Sequence, residues 1–581
     1  MLEERSVDTA ARQLLKRAEE EKISTMFSRS AEMKSCPIGG SGACCRQCAM
    51  GPCRLVGKPG EEKVGVCGAT LHTVSARNLL VHIATGASAH SDHGRDLAHL
   101  LIAVGRKEAP NYKVTDEGKL RRLAVEFSIE TKGKSVEKLA EEVGIACLNE
   151  FGRTDGYVTF TNRAPAPRQK IWDELGIRPR AVDREIVEAL HRAHAGMDQD
   201  PKSILRHSLR TALGDGWGGS MVATDVTDIL FGTPLARTSS VNLGVLSQDK
   251  VNVIIHGHEP TLSEMIVAAS QDPEILAYAK SKGAAGIQIA GLCCTANEIL
   301  MRQGIPSAGN FLSQELAIIT GAVEAMVVDI QCVVQGLVKT AGCFHTKVVT
   351  TSPKVHIEGA THLEFEEEHA YDVAKRILKL ACDNFPNRRK DRVRIPSERE
   401  NLVAGFSHEF INYMLGGRFR ASFQPLNDNI INGRIKGVAG VVGCNNPREI
   451  HDRTSVEIVK ELIANDVLVV HTGCQALASA KCGYLQPEAA YAHAGEGLRS
   501  VCEAVGIPPV LHLGSCVDNS RILTIATQIV RTGGLGEDIS DLPMVGMAPE
   551  WFSQKALSIG TYFVASGAYV LFGVSSPVSA S

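Results

Sequence analysis

Residues 251–269 read VNVIIHGHEPTLSEMIVAA, and they decide the fold class of the larger part of the chain. The run rich in β-branched residues at Val251–Ile255 predicts a buried strand. After Pro260 the apolar residues take helical spacing, and Thr261 with Glu264 has the pattern of a capping box. A buried strand followed at once by a helix predicts a βα unit, whose strands pair in parallel.

This pattern recurs to the end of the chain. Further strand candidates are Gly286–Ala290, Ala325–Ile330, Val348–Thr351, Val438–Val442, Val467–Val470, Val510–Leu513 and Met544–Met547. Between residues 383 and 400 the sequence turns polar and basic (DNFPNRRKDRVRIPSERE), which predicts a boundary between two α/β units.

The sequence before residue 235 has a different texture. Apolar residues recur at helical spacing in Val136–Cys147 and in Arg184–Ala195. We therefore expect a multidomain α/β protein, in which an N-terminal α-helical domain (1–235) precedes two Rossmann-like α/β domains with parallel sheets (236–385 and 386–581).

Composition narrows the class of function. The chain has 581 residues, and 62 Lys and Arg against 65 Asp and Glu give a net charge of −3, which argues against a basic surface for nucleic acid. The longest apolar stretches, such as Tyr562–Val574, are too short and too interrupted by Gly to span a bilayer. The first 22 residues have a charged amphipathic pattern without the apolar core of a signal peptide. We expect a cytoplasmic protein.

Six of the 17 cysteines lie between Cys36 and Cys67, in the order C-x7-C-C-x2-C-x4-C-x13-C. In a reducing compartment such grouping indicates metal or cluster binding rather than disulfides. Because neighbouring side chains diverge, the adjacent Cys44 and Cys45 do not easily serve one cluster. One complete [4Fe–4S] set is then Cys45, Cys48, Cys53 and Cys67. Cys36 and Cys44 remain as half a site, which predicts a homodimer with a second cluster on its axis; a structural zinc site is the alternative.

A second set of ligand types follows the predicted strands at their carboxyl ends, where open α/β sheets bind ligands. This strand-end set is His258, Cys294, Cys332, Cys444, Cys474 and Cys516. A single cysteine of this kind is more often buried and inert. Six coincidences with strand ends instead favour one polynuclear metal site. The residues without this setting, predicted to be packing cysteines, are Cys147, Cys382, Cys482 and Cys502; Cys293 and Cys343 stay ambiguous.

The chain resembles the catalytic subunit of the anaerobic nickel–iron carbon monoxide dehydrogenases. The resemblance runs over nearly the whole chain and is carried by the motifs CCRQCAMGPCR, GVCGAT, DGWGGSMVATD, DILFGTP, HGHEP, GLCCTANE, IPSAGNFLSQELAI, GCNN, TGC and HLGSCVDNSR. It implies an electron-relay [4Fe–4S] cluster on the four-cysteine set, a cluster shared between subunits at Cys36 and Cys44, and a nickel–iron–sulfur active-site cluster on the strand-end set. In the family pattern Cys516 reaches nickel, while His258 and Cys294 hold a unique iron.

The resemblance also implies roles for four further residues. His90 matches a proton-handling histidine and Lys555 an active-site lysine; Asp215 matches a position that lines the site, as does Ile559. The family has a series of histidines at steps of three residues, and this chain departs from it. Its series, the ladder, is His90, His93, Asp96 and His99, with a carboxylate in the third place. The chain also ends some tens of residues before its relatives usually do.

The function that these expectations describe is reversible oxidation of CO with water to CO₂, two protons and two electrons. The electrons would pass to a ferredoxin-like carrier, and acetyl-CoA synthase or a hydrogenase are candidate partners. One rival is a nickel-free hybrid iron–sulfur–oxo cluster that reduces hydroxylamine-like substrates. The other is a non-enzymatic electron-transfer or redox-sensing dimer, which leaves the strand-end set unexplained.

Overall fold

A computed structural model describes residues 1–58, 61–416, 421–576 and 578–579. Its α-helices are α1 (Thr9–Glu20), α2 (Met26–Glu32), α3 (Pro37–Gly40), α4 (Leu71–Arg106), α5 (Glu117–Glu126), α6 (Val136–Gly152), α7 (Ala166–Leu175), α8 (Val182–Ala193), α9 (Pro201–Gly214), α10 (Ser220–Phe231), α11 (Pro260–Ala269), α12 (Pro273–Ser281), α13 (Cys293–Gln303), α14 (Ser313–Ile319), α15 (Gly336–Ala341), α16 (Ala370–Asn384), α17 (His408–Met414), α18 (Gln424–Ile431), α19 (Arg453–Ala464), α20 (Cys474–Lys481), α21 (Ala489–His493), α22 (Glu496–Val505), α23 (Asn519–Thr532) and α24 (Gln554–Ala565). Short 3₁₀ segments lie at Leu2–Arg5, Thr159–Arg163, Leu243–Val245, Glu367–His369, Phe385–Asn387, Lys390–Arg392 and Ile539–Asp541. No helix of these described ranges is long and apolar enough to cross a membrane.

The strands are β1 (Cys44–Cys45), β2 (Cys53–Arg54), β3 (Arg237–Val241), β4 (Val251–Gly257), β5 (Ile287–Leu292), β6 (Ser307–Gly309), β7 (Val323–Val328), β8 (Lys347–Thr350), β9 (Thr361–His362), β10 (Glu400–Ala404), β11 (Gly437–Val441), β12 (Val467–Thr472), β13 (Val510–Gly514), β14 (Met544–Ala548) and β15 (Tyr569–Phe572). Strands β1 and β2 form a small antiparallel pair. The first large sheet has the order β10-β3-β6-β5-β4-β7-β8-β9, and the second has the order β13-β12-β11-β14-β15. Within both large sheets the neighbouring strands run parallel, except that β10 pairs antiparallel with β3 at one edge.

All eight predicted strands are present, with ends displaced by at most two residues. The α/β class with parallel sheets is therefore confirmed, and so is the helical texture of the region before Phe231. Within the two large sheets, strands β3, β6, β9, β10 and β15 were not predicted. The first four are short or have polar residues among the apolar ones, so they lack the continuous apolar run of a strand buried on both faces. Strand β15 is an apolar run of only four residues, YVLF, at the edge of the second sheet, where Tyr569 and Leu571 are exposed.

Some packing contacts cross the predicted domain boundaries. Strand β10 follows residue 385, yet it pairs with β3 in the first sheet. Helix α1 lies in the predicted helical domain, yet Leu14 and Leu15 share a hydrophobic core with Leu316 of the first α/β unit. The ranges 1–235, 236–385 and 386–581 stay predictions.

Helix α4 is the long central helix of the amino-terminal region, and two glycines bring it close to its neighbours. A Cβ atom on Gly86 would lie 2.3 Å from the carbonyl oxygen of Gln554 at the start of α24. A Cβ atom on Gly94 would lie 2.7 Å from the carbonyl oxygen of Gly219. Helices α9 and α10 are joined there by a π-helical turn, Asp215–Gly219, a feature often found at functional sites. His90 lies on α4 between the two close approaches.

Candidate metal centre

The strand-end set of both large sheets meets in one buried place. His258, Cys294 and Cys332 follow strands β4, β5 and β7, and Cys444, Cys474 and Cys516 follow strands β11, β12 and β13. The ligand atoms of His258, Cys294 and Cys516 lie within 4.8 Å of one another, although Cys516 comes from the second sheet. The Sγ of Cys332 lies 3.6 Å from His258 Nε2, and both Cys444 and Cys474 are close enough to Cys332 to interact with its charge.

Lys555 points its ammonium group into this set from the first turn of α24. Its Nζ lies 2.6 Å from His258 Nε2 and 3.7 Å from the Sγ of Cys332. It donates a hydrogen bond of 2.7 Å to Gln331 Oε1. The side chain is only 5% exposed, so this cation is held inside the protein by thiols, an imidazole and one amide.

The backbone around the set is strained. Cys293, Gln331 and Cys332 have φ values of +60°, +62° and +53°, a conformation that costs a residue with a Cβ atom about 1 kcal/mol or more. At Gly473, with φ +66°, a Cβ atom would lie 3.0 Å from the Sγ of Cys516. Strain of this kind persists where the surroundings impose it, and it is typical of ligand-binding turns.

The capping box predicted at Thr261 is wrong, and the same sequence pattern at Thr295 and Glu298 forms no capping box either. Helix α11 begins at Pro260 behind Glu259, and α13 begins at Cys293 behind Leu292, and neither N-cap residue caps its helix with a side-chain hydrogen bond. Both helices therefore start earlier than Thr261 and Thr295 indicate. The Thr295 hydroxyl instead donates to Asp329 Oδ2 at 2.9 Å. The Thr295 hydroxyl is therefore bonded to Asp329, close to Cys332, and does not cap helix α13.

Burial and mutual contact set the ionisation of the site. Burial raises the pKa of Cys332 to about 12, and the thiol of Cys294 lowers the pKa of Cys516 by donating a hydrogen bond to it. Burial, with Lys555 beside it, holds the pKa of His258 well below its usual range. Burial alone would lower the pKa of Lys555, but the negative charge that the neighbouring cysteines carry when they ionise raises it above its ordinary value. The site thus combines a neutral imidazole with a permanent cation and a thiolate.

His90 lies beside the site with one nitrogen engaged and one without a partner. Its Nδ1 is 2.9 Å from Asp215 Oδ1, and both residues are fully buried. Asp215 also accepts hydrogen bonds from Ser220 and Ser558. His90 Nε2 is buried without a hydrogen-bond partner. An ionised carboxylate only accepts, so Asp215 holds the proton on Nδ1 and leaves Nε2 as a base.

The ladder on α4 runs from buried to exposed. Both ring nitrogens of His93 are buried without partners, and burial together with His90 lowers the pKa of His93 to about 3. Asp96 is half-buried and accepts a hydrogen bond from Lys354, while His99 is exposed. Asp96, which stands where the similar family has a histidine, is therefore an ion-paired carboxylate near the surface.

The amino-terminal cysteines lie in a different environment. Cys45 pairs with Cys53 across the β1–β2 ladder, and Cys45 packs in a small core with Leu55 and Val74. Cys36 and Cys67 are exposed. The Sγ of Cys36 accepts a hydrogen bond from Gly39 N–H at 3.5 Å, and such N–H groups lower the pKa of its thiol. The assignment of these six cysteines to two clusters stays a prediction.

Among the remaining cysteines, Cys147, Cys382 and Cys502 are buried, as predicted for packing residues. Cys482 is exposed, so its assignment to packing is wrong: helix α20 ends at Lys481 and leaves it outside the core. Cys343 is also exposed, with its thiol against the Lys339 carbonyl oxygen. Cys293 is buried next to Cys474 and adds a thiol to the site.

Two site residues had no signal in the sequence. Asp329 accepts hydrogen bonds from the turn that carries His258, and Gln331 joins Lys555 to the Ala89 carbonyl oxygen, next to His90. Each precedes Cys332 closely, and only the folded chain shows what each touches.

Buried thiols and an imidazole at the carboxyl ends of two parallel sheets define the chain as an α/β metalloprotein. A family model described as the Prismane/CO dehydrogenase family matches residues 43–581. The chain belongs to the Prismane/CO dehydrogenase family.

Curated relatives cover the whole chain. It is 55% identical to carbon monoxide dehydrogenase 1 of Methanosarcina mazei, over 100% of this chain and 91% of the relative. It is 44% identical to carbon monoxide dehydrogenase 1 of Carboxydothermus hydrogenoformans, over 98% and 91%. The carbon monoxide dehydrogenase/acetyl-CoA synthase subunit beta of Moorella thermoacetica is 40% identical, over 100% and 87%.

Solved structures of carbon monoxide dehydrogenases have the same fold as this chain. A nickel-free carbon monoxide dehydrogenase from Thermococcus sp. AM4 superposes with a TM-score of 0.97 at 48% identity, over 100% of this chain and 91% of that one. An acetyl-CoA synthase/carbon monoxide dehydrogenase described with NiZn[Fe4S4] and NiNi[Fe4S4] clusters superposes with a TM-score of 0.96 at 39% identity, over 100% of this chain and 88% of that one. These similarities confirm the predicted family and fold, and with them the class of enzyme and of cofactor.

Proposed function

We propose that this chain catalyses the reversible reaction CO + H₂O ⇌ CO₂ + 2H⁺ + 2e⁻. The observation that carries the proposal is the convergence of the strand-end set on one buried place, with Lys555 2.6 Å from His258 Nε2. A single structural ion needs four ligands. Five thiols, one imidazole and an internal cation suit a larger cluster at which a small substrate reacts.

The donor chemistry fits a nickel–iron–sulfur cluster held by the strand-end set. Cysteine sulfur is the soft donor that iron–sulfur clusters require, and imidazole suits both nickel and iron. His258 Nε2 lies 3.6 Å from the Sγ of Cys332, so the imidazole presents this nitrogen to the thiols. When bound, the cluster would supply coordination sites for CO and water and would accept the two electrons.

Lys555 would stabilise substrate charge. Oxidation of CO to CO₂ passes through a state with negative charge on oxygen, and a buried ammonium group is worth most where water is excluded. Gln331 fixes its direction through a hydrogen bond of 2.7 Å. Lys555 would therefore hold the oxygen atoms by charge-assisted hydrogen bonds.

His90 would take a proton that water releases. Asp215 holds the Nδ1 proton, so the unpartnered Nε2 can accept one. His93, Asp96 and His99 follow at steps of three residues, so each is next to the one before it while the series winds around α4 to the surface. This series would carry protons out.

A small apolar cavity lies in the core of the second α/β unit and reaches the residues that adjoin Cys444 and Lys555 in the sequence. It has a volume of about 30 Å³ and is lined by groups that include Gly443, Ala556 and Ile559. An apolar space of this size would admit CO and exclude ions.

Electrons would leave through the amino-terminal cysteines. Cys45, Cys48, Cys53 and Cys67 would hold a [4Fe–4S] relay cluster, and Cys36 and Cys44 would share a cluster with a second copy of the chain. The exposure of Cys36 and Cys67 suits transfer to another protein, such as a ferredoxin-like carrier. The acetyl-CoA synthase named with two relatives supports it as a candidate partner.

The test is CO-dependent reduction of viologen by anaerobically purified, nickel-loaded protein. Rapid reduction is expected, and it should stop when CO is replaced by argon. No reduction by protein that contains stoichiometric nickel and iron would contradict the proposal. Reduction of hydroxylamine by that same protein would instead support a hybrid-cluster activity.

A further inference from the structure

The Asp329 carboxylate is surrounded by donors from three ligand-bearing turns. It directly follows strand β7 and is buried. Its Oδ1 accepts the His258 N–H at 2.7 Å and also the N–H of Ile330. Its Oδ2 accepts the Glu259 N–H at 3.3 Å and the Thr295 hydroxyl at 2.9 Å.

Each of these donors belongs to a turn that presents a member of the strand-end set. The first turn carries His258 itself, and Thr295 is the residue after Cys294. Ile330 lies two residues before Cys332, in the segment where φ turns positive. One carboxylate therefore ties together the three ligands of the first α/β unit.

Gly257 makes room for this carboxylate. It has φ +144°, and a Cβ atom there would lie 1.4 Å from Asp329 Oδ1. Any other residue would push the carboxylate away from the His258 amide. Glycine at the end of β4 thus leaves the space in which the Asp329 carboxylate lies, next to the turn that carries His258.

The second α/β unit repeats the arrangement. Gly514 has φ +137°, and a Cβ atom there would lie 2.0 Å from the Asp518 carboxylate. Asp518 accepts the Ser515 N–H at 2.8 Å, one residue before Cys516, and also receives Arg521 Nε at 2.9 Å. Recurrence at the end of β13 marks the glycine–carboxylate pair as a feature of ligand turns.

We propose that Asp329 is a positioning residue, which sets the His258, Cys294 and Cys332 turns in the arrangement that takes up and retains the cluster. The inference rests on the proposed function for its chemistry. Groups that orient metal ligands without touching the metal typically change metal affinity or activity 10- to 100-fold when they are removed.

A buried carboxylate at the other end of the same strand provides a matched control. Glu324 is fully buried in β7 and accepts the Asn252 N–H at 2.7 Å, and it pairs with Arg388 and His345. It therefore serves the sheet in the way a purely structural carboxylate would. Glu324→Gln removes a charge from the same strand and leaves the ligand turns unchanged.

The experiment compares Asp329→Asn and Glu324→Gln in the holoenzyme. Each protein is challenged with a chelator, and retained nickel and iron are counted together with the thermal midpoint and the CO-dependent rate. Asp329→Asn should retain nickel at least tenfold less well and oxidise CO at least tenfold more slowly, while its thermal midpoint shows that the protein is folded. The reason is that an amide has one oxygen that accepts hydrogen bonds, whereas the carboxylate accepts them at two. Glu324→Gln should change only the thermal midpoint.

Thr295→Val provides a second variant that removes one donor and keeps the carboxylate. It should weaken nickel retention by less than Asp329→Asn. Wild-type retention of nickel in Asp329→Asn, or an equal loss in Glu324→Gln, would overturn the proposal. Metal retention is measured without CO. A wild-type protein that holds nickel but fails to oxidise CO would therefore contradict the proposed function, while nickel retention in the variants would still test the role of Asp329.

Discussion

The amino-terminal cysteine segment and the strand-end set, the two regions proposed to bind clusters, are built in opposite ways. The first lies within Cys36–Cys67, around a two-stranded ladder, with Cys36 and Cys67 exposed. The second takes ligands from His258 to Cys516 and from two sheets, and Cys294 and Cys516 are buried. A local, exposed segment suits the passage of electrons to another protein, whereas a buried set suits a reaction from which bulk solvent is excluded.

The difference extends to how each region controls its thiols. Near the surface, backbone N–H groups lower the pKa of Cys36. Inside, burial raises the pKa of Cys332 to about 12, and Lys555 opposes that rise. Cys332 therefore needs a neighbouring cation or a bound metal to ionise, so the ionisation of the inner region should depend far more on neighbouring groups.

The largest effect should come from Cys516→Ser, which removes an inner ligand. The CO-dependent rate should fall on the order of 10³-fold, beyond the 10- to 100-fold expected for a residue that only orients a ligand. Iron held by the amino-terminal cysteines should remain, which metal analysis would show. Cys502→Ser, a buried cysteine of the same α/β unit, is the matched control. A variant with normal nickel content and normal rate would refute the assignment of Cys516.

Lys555→Ala should lower the rate about 10²- to 10³-fold, the usual cost of losing a preorganised donor to developing charge. Nickel and iron content should stay near that of the wild type, because Lys555 contributes no metal ligand. Steady-state kinetics with metal analysis would test this. Gln554→Ala, one residue earlier on the same helix, should keep full activity. Equal losses in the two variants would point to disruption of α24.

Cys53→Ser tests the outer region. It should cost about four iron atoms per chain, those of one [4Fe–4S] cluster. Viologen reduction should fall roughly tenfold through loss of the relay, while nickel content is kept. Cys343→Ser, which removes an exposed thiol elsewhere, should change neither quantity. Loss of nickel together with the outer iron would show that the two regions assemble as one.

Acid should weaken the inner region first. Burial lowers the pKa of His471 to about 4 and of His512 to about 3, against about 6.5 in an unfolded chain. Because the unfolded chain then binds more protons, stability is present above pH 6.5 and is lost as the pH falls towards 4, by about 1.4 kcal/mol per histidine and pH unit.

Hydrogen exchange measured against pH would locate the change. Strands β12 and β13 should open before residues 36–67, which contain no histidine. His471→Asn should show a shallower pH dependence, and the exposed His194→Gln should match the wild type. An equal response to acid in both regions would contradict the prediction that acid weakens the inner region first.

Much of the fold could be predicted from the sequence. Strands such as Val251–Gly257 are continuous apolar runs, because a parallel strand is buried on both faces and local hydrophobicity reports it. The edge strand Glu400–Ala404 could not be predicted, since its polar residues face solvent and its partner, Arg237–Val241, is far away in the sequence. The capping boxes failed for a related reason: Thr295 bonds to Asp329 instead of to its own helix.

The sequence by itself determined the class of site. Thiols and an imidazole at the ends of apolar runs must lie at the carboxyl edge of their sheets, because parallel strands all end on the same side. Tertiary structure alone decided that the two edges meet, so that Cys516 joins His258 and Cys294 within 4.8 Å. It also placed Lys555, Gln331 and Asp329 among them, since contacts between distant residues depend on how helices and sheets pack and leave no periodic trace in the chain.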